Sequence, residues 1–376
     1  MKKICLSAIV IALSACGGND TSTSQTPNSQ PPPSMNFSQA KITLDGFIDN
    51  GNSVLNVAPS GQVSGYSFAI TNGNGTLYET AGGDQDVNTV SPIASATKMP
   101  SAIAILTLVD AGKLALDEPV KTYLDALDPS FNWPYDKRGI TMRMLLSHTA
   151  GIPSPPDPAV NDCLANTFTT LRECAQNIAT TPLDYAPGTT FSYSGADYQV
   201  AGYVAQLIAA TPFTDLFNSV VGTPLGLTTF VYNDNDNPRV AGGGSCNVDD
   251  YVKILRMVLN DGVADNGTRV LSDAMIKELQ QNNTANVTIK PLSFLTDTSQ
   301  NYFSGYTLGL FITDPDQYAS DGTSGPEFVD PGLFGTTPWI DMGVKYGAVI
   351  LITNDTITGL DMWTAVRPQI VQQLNH

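Results

Sequence analysis

Four residues, Ser95-Ala96-Thr97-Lys98, set a hydroxyl and an amine three positions apart at the head of the apolar stretch Ala94 to Leu106. On a helix these two side chains share a face, so Lys98 could take the Ser95 proton and leave a nucleophilic oxygen. The amine must first lose a proton of its own. At an ordinary pKa near 10.4 only about one lysine in 2,500 is neutral at pH 7, so burial and the positive end of a helix would have to lower it. The same helix end aims backbone N–H groups at developing negative charge. A lysine here is costly to desolvate unless the chemistry needs it.

The S-x-x-K spacing also occurs at Ser38-Gln39-Ala40-Lys41, and about one chance match is expected in a chain of this composition, so context must separate the two. Ser38 precedes KITLDGFIDN and is expected to cap a first surface helix, with Lys41 in solvent. Ser95 precedes Ala102, Ile103, Ile105, Leu106, Leu108 and Val109, apolar nearly all round, with Gly112 placed to end the helix. That helix should be buried. Other chemistries lose ground on inventory. The only histidines are His148 and the terminal His376, so a Ser-His-Asp mechanism would rest wholly on His148. There is no G-x-S-x-G elbow, and neither a histidine pair nor a C-x-x-C from which to build a zinc site. No G-x-G-x-x-G or G-x-x-x-x-G-K-[ST] offers a nucleotide site. The expectation is an enzyme without metal or cofactor.

The elements that must position these groups follow a leader. Residues 1–15, MKKICLSAIVIALSA, carry Lys2 and Lys3 and then an apolar run too short to span a bilayer, which reads as a signal peptide. Leu13-Ser14-Ala15-Cys16 resembles the lipobox of bacterial lipoproteins, which implies a lipidated Cys16; the alternative is a secreted protein cut near Ala15. Gly17 follows where an Asp would mark inner-membrane retention in that class, which favours the outer membrane. Residues 16–35 form a polar tether, too poor in apolar groups to fold, with a reach of roughly 25 Å. Residues 36–376 hold no second low-complexity linker and are expected to be one catalytic domain. The formal charge of −17, deepened when Lys2 and Lys3 leave with the leader, argues against a nucleic-acid partner. Of the cysteines beyond Cys5 and Cys16, Cys163 and Cys174 are the natural disulfide pair, worth roughly 3 kcal/mol by restriction of the unfolded chain. Cys246 is expected as a buried small apolar residue.

Several stretches together resemble the serine hydrolases related to class C β-lactamases, a group that includes D-aminopeptidases and family VIII carboxylesterases. SATKMPSAIAILTLVDAGKLALDEPVKTYL is similar to the nucleophile helix and its following loop, ITMRMLLSHTAGIP to the L-L-T-H-T-S-G segment, and PGTTFSYSGADYQVAGYVAQLI to the second catalytic motif. TPLGLTTF and RVAGGGSCNVDDYVKIL fit the segments after it. The resemblance implies an α/β (α+β) fold of the β-lactamase/transpeptidase type. Its antiparallel sheet would come from about residues 36–115 and 245–376, with a mostly helical region, about 116–244, inserted between. It implies Ser95 as nucleophile, Lys98 as its basic partner and Tyr193 as the catalytic tyrosine of Y-x-N, while His148 is structural. Local patterns agree: SGYSFAITNGNGTLYETAGG reads as a hairpin about Asn72-Gly73-Asn74-Gly75, KYGAVILITND as a buried strand and LDMWTAVRPQIVQQL as a closing helix.

Two departures from the family pattern bear on substrate. The asparagine of Y-x-N is Gly195, and the third motif, K-T-G or H-x-G in the family, is read at Leu333-Phe334-Gly335, with Thr336 supplying the second oxyanion N–H beside that of Ser95. Without the motif's cation and amide, the site favours small or apolar esters over substrates that carry a carboxylate and an acyl-side amide. A D-amino-acid peptidase or β-lactamase is the second reading, and a non-catalytic binder of cell-wall material the third. The partners implied are a small ester or amide and, through Cys16, the membrane.

Overall fold

The computed structural model describes residues 35–49, 61–154, 163–164, 169–233, 236–292, 302–313 and 325–375; the leader, Cys16 and most of the tether lie outside the described residues. Asn72 and Gly75 close the expected hairpin between β1 (Gly65–Asn72) and β2 (Gly75–Gly83). The next sheet strands come from the far end of the chain: β3 (Phe303–Tyr306), β4 (Phe311–Thr313), β5 (Glu327–Val329), β6 (Thr337–Asp341) and β7 (Tyr346–Leu351). The seven strands run in the order β2-β1-β7-β6-β5-β4-β3, and every pairing is antiparallel.

Central strands of this sheet are buried on both faces, and their period-two alternation divides the core. Phe68 and Ile70 of β1 and Ala348 and Ile350 of β7 face one side; there the first helix, α1 (Ser38–Asp45), packs with the last one, α5 (Thr356–Leu374). Ala69, Val349 and Leu351 face the other, which holds α2 (Lys98–Asp110), α3 (Gly195–Ala209) and α4 (Val248–Leu259). Helices are thus layered on either side of one antiparallel sheet, as expected for this α/β (α+β) class. α2 is apolar nearly all round and is buried from Lys98 to Leu106, and Gly112 follows its end with φ 66°. Shorter helices between Val120 and Leu225 cover the side of α3 remote from the sheet.

Ser38 differs from its expected role. The residue ahead of α1 is Phe37, no side chain caps the helix, and Lys41 bonds Asp45 one turn on at 2.8 Å rather than standing free. Cys163 and Cys174 form a disulfide, and Cys246 is a free, fully buried thiol whose pKa burial pushes well up.

Candidate active site

Ser95 lies in a 3₁₀ turn, Ala94–Thr97, and Lys98 is the first residue of α2. The pair therefore straddles a joint instead of sharing one α-helix, yet the Lys98 Nζ is 3.1 Å from the Ser95 Oγ. Ala94, just before the serine, sits at φ 46°, a left-handed conformation that costs an L-residue roughly 1–2 kcal/mol. Thr97 holds that turn in place: its hydroxyl donates to the Ala94 carbonyl at 2.6 Å and accepts the Gly244 N–H at 2.9 Å.

Lys98 is buried. Its amine donates to Ser95 and to the Ala241 carbonyl at 3.0 Å, and lies 4.5 Å from the centre of the Tyr193 ring. Burial brings its pKa down to about 8, against the pull of the Asp330 and Asp197 carboxyls, with the Arg239 charge pressing it further down. At pH 7 about one molecule in ten then carries a neutral amine, roughly 250-fold more than for a free lysine. The Tyr193 phenol bonds to Ser95 but keeps its proton: burial first, then the nearby Asp330, holds it far above the usual phenol range. Amine, hydroxyl and phenol thus converge, and the amine is the group able to accept a proton near neutrality.

Behind Lys98 stands a polar clamp. The Gln199 side chain of α3 donates to the Asn237 side-chain oxygen at 2.7 Å and the Pro238 carbonyl at 2.9 Å, and accepts the Val240 N–H at 3.2 Å. Ser101 of α2 donates to the Val240 carbonyl at 2.7 Å, and the Asn237 amide reaches the Cys163 carbonyl at 3.1 Å. These bonds fix residues 237–241, whose last carbonyl receives Lys98. His148 is structural, as expected. Its Nδ1 is 2.9 Å from Asp197 Oδ2 and accepts the Ser194 N–H at 3.3 Å, while its carbonyl accepts the Ser192 N–H at 2.9 Å, so the segment carrying Tyr193 hangs on it. Burial lowers the pKa of His148 and raises that of Asp197, so it pushes each toward its uncharged form.

The opposite wall departs from expectation by three residues. A Cβ on Gly332 would come 2.3 Å from the Ile93 carbonyl, so Gly332 is the glycine pressed against the nucleophile turn. Gly335, at φ 91°, packs instead on Ile352 and the Asp355 carbonyl, and Thr336 is wholly buried behind the wall. Neither Gly335 nor Thr336 lines the cleft of about 270 Å³ above Ser95; Pro331, Leu333 and Phe334 do, along with Gly195 and Leu164. The Leu333 N–H has no hydrogen-bond partner among the described residues, and Leu333 lines the cleft where Thr336 does not, so on this wall it is the Leu333 N–H that is placed to meet an oxyanion. The position at the motif's head belongs to Asp330, a buried carboxyl whose Oδ2 accepts the Met99 N–H at 3.2 Å while Oδ1 has no partner. Sequence reasoning missed Asp330, Asp197, Gln199 and Arg239; none carries a local signal, since each acts on residues far away along the chain.

The chain is similar to known proteins in sequence and in fold. The family model described as Beta-lactamase matches residues 44–367. Protein flp of Staphylococcus aureus is 30% identical over 188 residues, 47% of this chain but only 36% of flp, so the chain spans little more than a third of that relative. Penicillin-binding protein 4 of Amycolatopsis lactamdurans is 27% identical over 292 residues, 68% of this chain and 71% of its own. Among solved structures, EstCE1, a hydrolase with promiscuous acyltransferase activity, superposes with a TM-score of 0.67 over 90% of this chain and 99% of its own, at 20% identity, a likeness of fold.

Proposed function

The chain belongs to the Beta-lactamase family of serine hydrolases, and from that premise we propose that it is a carboxylesterase acting on small or apolar esters through an acyl-enzyme on Ser95. One observation carries the reading: the Ser95 hydroxyl is within 3.1 Å of a buried lysine whose pKa is brought down to about 8. The neutral Lys98 amine takes the Ser95 proton as Oγ attacks the ester carbon, and the carbonyl π electrons move onto its oxygen. The Ser95 and Leu333 N–H groups receive that charge. Collapse of the intermediate expels the alkoxide, which leaves as alcohol with a proton from the Lys98 ammonium, relayed through the Tyr193 phenol. Water then attacks the acyl-enzyme by the same path in reverse and releases the acid.

Preference for esters rests on what the walls lack. Gly195 has no side-chain amide to offer an acyl-side N–H or C=O, and the buried carboxyl of Asp330, not a cation, heads the third motif, so that position supplies no partner for a substrate carboxylate. Leu333 is 60% exposed and Phe334 38%, an unusual apolar display that suits an apolar acyl or alcohol group. The second reading, a D-amino-acid peptidase or β-lactamase, draws on the likeness to Penicillin-binding protein 4. Assaying short-chain aryl esters, nitrocefin and D-alanyl peptides on one preparation separates the two. Esters are expected to win by at least ~10²-fold in kcat/KM, about 2.7 kcal/mol; a preference for nitrocefin or D-alanyl peptides sinks the esterase reading.

The envelope location is likewise a proposal, supported by Leu13 to Cys16 and the polar tether behind them. Labelled palmitate is expected to mark the wild-type protein and not Cys16→Ser; equal labelling of both overturns the anchor.

A further inference from the structure

Of the seven arginines in this acidic chain, six have a partner: Arg143, Arg172, Arg256, Arg269 and Arg367 pair with carboxylates, and Arg138 lies over the Tyr135 ring. The Arg239 guanidinium has neither a carboxylate, a hydrogen bond nor a ring partner among the described residues. It is exposed, and it lines the cleft over Ser95. In a protein of formal charge −17, where a surface carboxylate is seldom far away, a cation left unpaired at the mouth of a reactive cleft calls for a reason.

Its backbone is held as firmly as any part of the site. Gln199 accepts the N–H of Val240 and bonds the Pro238 carbonyl, while the Arg239 carbonyl accepts the N–H groups of Gly242 and Gly243 at 2.9 and 2.7 Å. Two residues on, the Ala241 carbonyl receives Lys98, and a Cβ on Gly242 would lie 3.9 Å from the Ser95 nitrogen. Two residues of chain span at most about 7 Å, so the Arg239 backbone is held close to the acyl-transfer point, and its side chain lines the cleft above it. Its charge is felt by Lys98. Leu164, Leu333 and Phe334 add apolar side chains to the same cleft.

We propose that Arg239 is a specificity residue for an anionic group on the substrate, which makes the preferred substrate an ester of amphipathic character: an apolar acyl or alcohol part ending in a carboxylate. This rests on the hydrolase reading above and deepens it. Arg239 receives the anion at the mouth of the cleft, where a planar fork can bind a carboxylate by two parallel N–H donors without removing a buried charge from water.

The test uses two esters that share one succinyl chain, 4-nitrophenyl hemisuccinate and its uncharged counterpart, 4-nitrophenyl methyl succinate. Wild-type protein is expected to favour the charged ester by at least ~10-fold in kcat/KM, the preference shrinking as salt rises. The charged-to-neutral ratio should fall to about one in Arg239→Gln and recover in part in Arg239→Lys. A wild-type ratio near one, or a ratio that survives Arg239→Gln, overturns the proposal. Calorimetric titration of Ser95→Ala with the same two compounds reads the contrast without turnover: tighter binding of the hemisuccinate that vanishes in Ser95→Ala/Arg239→Gln supports it, and equal binding of both overturns it. Wild-type protein that hydrolyses neither ester while Ser95→Ala still discriminates between them would refute the esterase reading and leave Arg239 as an anion site.

Discussion

The two walls of the cleft are built on different principles. On the side of the nucleophile, Lys98, Gln199, Asn237 and Ser101 are buried and joined by hydrogen bonds of 2.7–3.2 Å, and the strain at Ala94 is held by Thr97. Across from it, the segment from Pro331 to Phe334 puts apolar side chains into solvent and makes its bonds through backbone, Gly332 N–H to the Thr336 carbonyl at 2.7 Å and Gly335 N–H to the Gly332 carbonyl at 2.9 Å. The first wall has little tolerance, because each polar group in it would be left unpaired if its partner were lost. The second has room to vary. The proton-transfer groups therefore sit in one wall, while the other offers a backbone N–H and exposed apolar side chains.

Substitutions can break or sharpen that contrast. The largest effects are expected at the bond-making groups: Ser95→Ala abolishes turnover and fluorophosphonate labelling, whereas Ser38→Ala changes neither. Lys98→Ala and Tyr193→Phe should each lower kcat by at least about 10³-fold, because such groups act as a unit. A near-normal rate in Tyr193→Phe would leave Lys98 to work alone. Next comes Gln199→Ala, which strands a buried N–H and two acceptors; urea unfolding should show a loss of about 2–3 kcal/mol, and an unchanged midpoint would mean the clamp is ornamental.

Smaller still is the response to pH. With Lys98 at about 8, kcat/KM should rise about tenfold per unit up to that pH and then level, since only the neutral amine accepts the serine proton. Asp330 favours the charged lysine, so Asp330→Asn should move this limb to lower pH; movement to higher pH would show that the carboxyl acts otherwise. Smallest is Leu333→Ala, on the permissive wall, expected to raise KM for an apolar aryl ester by about threefold, which corresponds to a fraction of the energy of one buried side chain. A thousandfold loss there would erase the distinction between the walls.

Much of this was legible along the chain where the cause is local. The hairpin at Asn72–Gly75 follows from its turn residues, the C-terminal strand and helix from their apolar runs, and the weight given to Ser95 over Ser38 from the length of apolar helix behind it. What was not legible depends on long-range contact. Gly332 and Gly335 look alike in PGLFG, and only the approach of Ile93 tells which one adjoins the nucleophile. Arg239 is one arginine among seven until the partners of the other six are known. Gln199 reads as an ordinary polar residue in a helix, although it is buried and holds a loop about forty positions away.

The disulfide has a consequence for how the protein comes to life. Cys163 is covalently tied to Cys174, and its carbonyl receives the same Asn237 whose side-chain oxygen is bound by Gln199. The bridge therefore braces one end of the hydrogen-bonded loop whose last carbonyl cradles the lysine. For the bench the same reasoning sets the choice of host: material made in a reducing cytoplasm should regain specific activity on exposure to a glutathione redox couple, with little change in its circular dichroism.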